Sequence, residues 1–362
     1  MKVSVVGGGN AGVLTILYLS LYVKNVELEL IYNPEIPSEP VGQGTLLTPP
    51  ALLWSSLGFN WYNNPIHATF KSGILYEGWG KLNDEVFHDF ATNSMSMHYC
   101  PGEMQKYALE SGLFKVIEGD VDPKDVDADY IFDCRGKPED YSEYDDLINP
   151  LNSVILSRKE GRDLELNYTR CVATPHGWTF VIPNHDSVSY GYLYNDKITL
   201  KNIAEDNFID LFDVVPDGYL KFKNYIAKSM WRGERTILNG NRLCFLEPLE
   251  ATSVGFYQTV CSSAFKTMTK GIGKEESNHL MRTEMKEIQN FVLWHYQTGS
   301  KYDTPFWDYA KSLEFGYDRK FNQFLDISRR YKYDKLRFAL GEEYGQWSYI
   351  NFKNWDELTM KK

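Results

Sequence analysis

The stretch Lys2 to Val23, KVSVVGGGNAGVLTILYLSLYV, decides the fold. Lys2 to Val6 is a β-branched run that predicts a strand, Gly7 to Gly12 reads GGGNAG, and Val13 to Val23 carries the apolar pattern of a helix. A second strand is expected at Val26 to Tyr32. Strand, glycine turn, helix and strand in that order open a dinucleotide-binding α/β fold. The GxGxxG of Gly7, Gly9 and Gly12 has a mechanical reason: a tight turn, a close approach of backbone to a pyrophosphate, and close packing of helix on strand. The N-terminus of the helix that follows this turn then faces the phosphates with unpaired N–H groups. About 20 residues beyond the third glycine an acidic residue should meet the ribose hydroxyls. Tyr32 stands there instead, with Glu29 and Glu35 as nearby substitutes. Only one such fingerprint occurs, so the chain is expected to hold a single dinucleotide.

Outward from this opening, Pro34, Pro37, Pro40, Pro49 and Pro50 mark an extended loop rather than helix, around VGQGT at Val41 to Thr45. Thr69 to Trp79 predicts a strand, and DYIFDC at Asp129 to Cys134 predicts a buried strand that stops at Gly136. Alternation in WTFVIP and VSYGYLY, within Thr169 to Tyr194, argues for antiparallel strands. After Pro248 the pattern turns helical, with Val254 to Thr269 and Glu276 to Tyr296 as the strongest helices. Trp294, Trp307, Trp347 and Trp355 fall in the last third.

Composition bounds the function. The 362 residues are 43% hydrophobic and 24% charged, enough to bury a large core. The net charge of -11 argues against nucleic acid and anionic membrane surfaces as partners. The apolar opening is broken by three consecutive glycines and an asparagine, which excludes a membrane span there, and Lys2 leads directly into a strand rather than a leader peptide. The expected location is cytoplasmic. Cys100, Cys134, Cys171, Cys244 and Cys261 are odd in number and scattered, so they read as reduced, partly buried small hydrophobes. Seven histidines without metal-ligand spacing give no protein-held metal. Aromatic residues make up 15%, suited to an aromatic core and equally to walls around a flat ligand.

The glycine turn, VGQGT, TFKSGILYEGW, DYIFDCRG, GWTFVIP, GYLY, FLEPLEATS and FVLWHYQTGSKYDTPFW occur in the order of segments found in one family. In these the chain resembles the flavin-dependent tryptophan halogenases, over nearly its whole length as far as Trp307. The region after Trp307 is shorter than that family's usual C-terminal substrate region. The resemblance implies a Rossmann-like FAD-binding domain with an inserted antiparallel sheet and a shortened, mainly helical C-terminal region. The division expected is 1–275 for the FAD module, with substrate-side sheet at roughly 60–110 and 160–235, and 276–362 for the helical region.

The resemblance also implies a chemistry. FADH2, delivered by a separate flavin reductase, and O2 oxidise a halide ion to hypohalous acid, which is guided to an electron-rich aromatic substrate. Lys71, in TFKSGI, matches the family's essential lysine, whose ammonium polarises hypohalous acid or whose amine carries the halogen. Glu250, in EPLEATS, matches the active-site glutamate that takes the arene proton or orients the lysine. Read without the resemblance, Lys71 is a solvated strand lysine and Glu250 a helix-start carboxylate. FAD would lie against Gly7, Gly9, Asn10, Ala11, Gly12, Gly42, Asp133, Gly136 and Leu246. Thr252 and Ser253, good N-cap residues, would form the halide seat, with Ala251 where the family commonly has serine and Ser253 where it commonly has glycine.

Trp178, Phe180, Ile182 and Pro183 of GWTFVIP match a WxWxIP element that walls the flavin from the substrate, with Phe180 replacing the second tryptophan. Alternating aromatics on a core strand would account for the same pattern. His88 and Phe90, in FHDF, look like the aromatic substrate shelf, although they stand closer to Lys71 than usual. Gln43 replaces a family glutamate. Two alternatives stay open beside the halogenase: a flavin-dependent aromatic monooxygenase of the same fold, and an FAD-binding protein without turnover. A homo-oligomer is compatible with the sequence, which leaves the arene and the halide unspecified.

Overall fold

The computed structural model describes residues 1–39, 42–45, 48–80, 82, 84–89, 96–163, 165–336 and 343–359. The chain forms two compact units, each built from three separate stretches. The first comprises Met1–Lys71, Thr92–Leu147 and Asn224–Thr283, and the second Ser72–Ala91, Ile148–Lys223 and Glu284–Lys362. The C-terminal stretch therefore shares a unit with the two inserted stretches instead of beginning a separate region near residue 276.

The first unit is built on a six-stranded sheet. Lys2–Val6 lies at its centre, parallel to Glu27–Tyr32 on one side and to Tyr130–Asp133 on the other. Lys115–Glu118 extends it beyond the former and Thr236–Leu238 beyond the latter, both parallel, and Trp231–Arg232 closes one edge as an antiparallel hairpin strand. The strand order reverses between Lys2–Val6 and Tyr130–Asp133, and doubly wound sheets bind ligands at the carboxyl ends of strands at such a point. Four consecutive residues of Lys2–Val6 are buried, as a central parallel strand covered on both faces requires. The helix Asn10–Tyr22 buries nine of its residues and is apolar nearly all round, which suits a helix enclosed by core rather than one lying at a surface. Val3, Val5, Val13, Ile16 and Leu17 are fully buried. Each such side chain contributes about 1.5–3 kcal/mol.

A smaller three-stranded sheet in the same unit carries Lys71. Ser96–Tyr99 pairs antiparallel with Gln43–Gly44 on one side and with Thr69–Lys71 on the other. The long strand expected over Thr69 to Trp79 is thus two, Thr69–Lys71 and Gly73–Glu77, which belong to different units. The proline run also departs from expectation, because Pro49 and Pro50 lie in the helix Thr48–Leu57. Proline is accepted in a first helical turn, where its missing N–H has no intrahelical partner to lose.

The second unit holds a seven-stranded sheet in which Ser153–Glu160, Ser187–Tyr194, Gly177–Pro183 and Thr169–Thr174 are successive antiparallel neighbours, as the alternating segments predict. Gly73–Glu77 joins Thr169–Thr174 in parallel. In the C-terminal stretch, the helices Arg319–Arg330 and Tyr349–Thr359 are tied by a two-bond ion pair from Arg329 to Asp356, 2.8 and 2.6 Å. The helices expected at Val254 to Thr269 and Glu276 to Tyr296 are present as Ser253–Lys270 and Lys274–Thr298. Among the described residues no helix is long and apolar enough to cross a membrane.

Candidate functional site

The glycine turn sits at the switch point of the six-stranded sheet. Gly7 has φ +113, and a β-carbon there would stand 2.6 Å from the Cys134 carbonyl oxygen at the end of the neighbouring strand. A β-carbon on Gly12 would collide with the Gly7 carbonyl oxygen, so this glycine lets the helix Asn10–Tyr22 approach the strand. Gly9 differs: the atoms nearest to where its β-carbon would stand are those of the Glu39 carboxylate, with the two oxygens at 3.5 and 3.8 Å. The Asn10 N–H at the helix start donates to the same carboxylate at 3.3 Å. The turn therefore already accepts an anion over its central glycine, and a cradle of this shape and charge preference fits a dinucleotide pyrophosphate. Asn10 is buried, and its side-chain oxygen accepts from the Tyr99 hydroxyl at 2.7 Å. Ala11 is buried beneath Gly240. Gly42 is buried, Leu246 is half-buried after the strand Cys244–Phe245, and Gly136 has φ +84 with open space where a β-carbon would stand.

Asp133 is buried and its carboxylate is engaged by two guanidinium groups. Arg135 donates to it at 2.9 and 3.0 Å and Arg242 at 3.2 Å. Those bonds hold it as a structural anion at the strand end, which leaves the neighbouring backbone, not the carboxylate, to face a ligand. Glu29 does not take the ribose position either. It points at Ser4 on the adjacent strand, whose hydroxyl donates to it at 2.6 Å, and at Lys2 Nζ, 3.1 Å away. Tyr32 packs against Gly8 and its hydroxyl donates to Glu118 at 3.4 Å. Glu35, the other acidic residue weighed for that place, is exposed.

Lys71 is fully buried, contrary to a solvated strand lysine. Its Nζ donates to the Thr45 carbonyl at 3.2 Å, and its own carbonyl accepts from the Ser96 hydroxyl at 2.7 Å. Register explains the setting. Thr69 stands opposite His98 and Lys71 opposite Ser96, so all four side chains share one face of the ladder. His98 is fully buried and held well below the usual imidazole range, first by burial and then by the Lys71 ammonium. The imidazole is therefore neutral beside a buried cation. Thr45 closes VGQGT without being singled out there, and Ser96 and His98 were not signalled by any motif, although the period-two alternation of a short strand facing TFK would have found them. Buried lysines are costly unless used, and concentrate at functional sites.

Glu250 is buried in the three-residue turn Leu249–Ala251 that leads into the helix Ser253–Lys270. Its backbone lies at φ +72 and that of Ala251 at φ +54, a conformation that costs an L-residue about 1–2 kcal/mol. Two such residues in succession mark a turn held by its surroundings. Ala251→Gly should stabilise the protein by about 0.5–1 kcal/mol in chemical denaturation, because glycine adopts this φ without the steric cost. No gain would show that the turn is relaxed as it stands. Thr252 occupies the N-cap position with helical backbone and makes no side-chain cap bond, unlike the cap expected of it, because the preceding turn runs directly into the helix. Ser253 is exposed. Glu247, buried in the same segment, accepts from the Leu249 N–H at 3.4 Å and is a second carboxylate that the motif reading passed over.

The remaining predicted residues lie in the second unit. Trp178 is fully buried and its indole N–H donates to the Tyr296 hydroxyl at 2.8 Å, within a cluster holding Trp79 and Trp307. Phe180 lies over Gly191 of the paired strand, where any β-carbon would collide with its ring. Pro183 ends that strand and is buried. His88 is buried on the strand Glu85–Asp89 with its ring against the Asn351 amide of the helix Tyr349–Thr359, not on an open shelf. Phe90 lies outside the described residues. Cys134, Cys171, Cys244 and Cys261 are buried, and burial raises the thiols of Cys134, Cys244 and Cys261, the last to about 12.

The sequence profile described as tryptophan halogenase matches residues 2–113 and 117–349. Tryptophan 7-halogenase RebH of Lentzea aerocolonigenes is 25% identical over 209 residues, covering 52% of this chain and 39% of that protein. Tryptophan 6-halogenase ThaL of Streptomyces albogriseolus is 22% identical over 245 residues, covering 62% of this chain and 46% of that one. The matches thus span less than half the length of these relatives. A flavin-dependent halogenase from Xanthomonas campestris has the same fold, with a TM-score of 0.79 at 18% identity over 98% of this chain and 88% of that one.

Proposed function

The chain belongs to the tryptophan halogenase family, and we propose that it is a two-component flavin-dependent halogenase of an electron-rich aromatic substrate, with Lys71 and Glu250 at the reacting end. The observation that carries this reading is the fully buried Lys71 ammonium, held by the Thr45 carbonyl in the unit that also contains the anion-accepting glycine turn. FAD, reduced by a separate reductase, supplies with O2 the two-electron oxidation of halide to hypohalous acid. Gly9 lets the backbone approach the pyrophosphate, Gly7 and Gly12 hold the turn and the helix in place to do so, and the helix start at Asn10 and Ala11 meets its charge. Thr252 and Ser253 at the next helix start offer N–H groups to the halide.

Lys71 then acts on hypohalous acid. Its ammonium donates a proton to the oxygen as the oxygen–halogen bond breaks, so that water leaves and the carbon–halogen bond forms. The carboxylate of Glu250 accepts the proton that the substituted ring carbon loses. The neutral His98 supports this role, because a second cation on the same face would disfavour the ammonium. The substrate is a small arene.

The test is incubation with a flavin reductase, NADH, FAD, each halide in turn and a panel of arenes, read by mass spectrometry for the isotope pattern of a halogenated product. Hydroxylated product in its place would establish the monooxygenase. Flavin binding without product in any combination would establish the inactive binder. With the reductase left out, NADH should leave the bound flavin oxidised, because the chain carries one glycine fingerprint; rapid bleaching of the flavin absorbance would overturn the two-component assignment.

A further inference from the structure

The Glu39 carboxylate is an unusual occupant of the glycine turn. It takes the hydrogen bond of the Asn10 N–H, and its two oxygens lie 3.5 and 3.8 Å from where a β-carbon of Gly9 would be. Outside the turn itself, the three atoms nearest that point all belong to this carboxylate. In turns of this type the central glycine is small because the pyrophosphate approaches there. The carboxylate also faces the buried phenols of Tyr99 and Tyr257, both pushed upward first by burial and further by its charge. Glu39 itself is exposed, in an irregular stretch after Pro37, so it can withdraw without opening the core.

We propose that Glu39 is a resident anion that competes with the flavin pyrophosphate for the start of the helix Asn10–Tyr22, so that FAD binds only as the carboxylate withdraws. The inference rests on reading the glycine turn as the FAD seat. A helix start attracts one anion, and a carboxylate beside a doubly charged pyrophosphate repels it. The exchange keeps the helix end satisfied between one flavin and the next and weakens retention of the cofactor. Such weakening suits a protein that receives its flavin from another and returns it. Because the contest is for the pyrophosphate, reduced and oxidised FAD are affected alike.

Three ligands separate the possibilities: FAD, ADP and riboflavin, titrated by fluorescence or calorimetry into wild type, Glu39→Gln and Glu39→Ala. Glu39→Gln should tighten FAD and ADP by about three- to tenfold, and Glu39→Ala by at least as much, with riboflavin unchanged. The flavin-free Glu39→Ala protein should melt lower than wild type, since its helix start loses an acceptor. Should Glu39→Ala not fold, Glu39→Asp, with a shorter reach, serves in its place and should also tighten FAD. Unchanged or weaker FAD binding in the variants, with wild type binding normally, would overturn the competition. So would an equal gain for riboflavin, which lacks the pyrophosphate. Wild type that binds neither FAD nor ADP would remove the FAD seat itself and the competition with it.

Discussion

Lys71→Ala should lower halogenation about a thousandfold while leaving FAD affinity and flavin reoxidation unchanged. The size follows from what one buried, charged donor contributes when charge develops on a leaving oxygen. The fully buried ammonium has no solvent substitute, because water that filled the space would carry neither its charge nor its acidity. Glu250→Gln should be milder, about ten- to a hundredfold, since water can still take the proton from the arene. Lys71→Met keeps most of the volume and checks that the loss is chemical, with melting and flavin titration as controls. Halogenation by Lys71→Ala at the wild-type rate and ring position would refute the role given to this side chain. A large loss that extends to FAD affinity would make Lys71 a structural residue of the cofactor site.

Gly12→Ala should remove more than about 4 kcal/mol of stability and most of the soluble yield. The added carbon would meet the Gly7 carbonyl oxygen, which is backbone and cannot rotate aside. Relief would require the helix Asn10–Tyr22 to lift from the strand Lys2–Val6, exposing Val13, Ile16 and Leu17. Gly9→Ala is the contrast. Only the end of a flexible glutamate lies near, so the fold should survive while FAD affinity falls at least tenfold, because the methyl group stands where the pyrophosphate approaches. Urea denaturation and flavin titration separate the two variants. A Gly12→Ala protein with wild-type stability would show that helix and strand are not in the close contact described.

Local pattern carried the fold where one rule acted alone. The opening GGGNAG could be read because each glycine answers a separate steric demand, and the parallel strands beside it are plain apolar runs. Where two rules competed, the sequence misled. Pro49 and Pro50 break helices in an interior and are accepted in a first turn, and periodicity does not say which applies. Thr69 to Trp79 has the composition of one strand, yet the chain passes from one sheet to another at Ser72. In the candidate site, Lys71 and Glu250 came from motif context, whereas Thr45, His98 and Glu39 reach it from segments distant in sequence. Trp178 shows a further limit. Its spacing suits a wall or a core equally, and only the bond to Tyr296 ties it into packing.

The interleaving of the two units bears on how the protein is made. The six-stranded sheet takes its last strand from Thr236–Leu238, so about two-thirds of the chain must leave the ribosome before that sheet can close, and the first unit is complete only at Thr283. Until then the edge of Tyr130–Asp133 that faces away from Lys2–Val6 has no partner, and a nascent chain with an unpaired parallel edge is a natural client of chaperones. The same arrangement defeats dissection. Any single truncation before residue 283 removes part of both units, so an isolated cofactor module would have to be assembled from three joined segments rather than cut from the gene at one point.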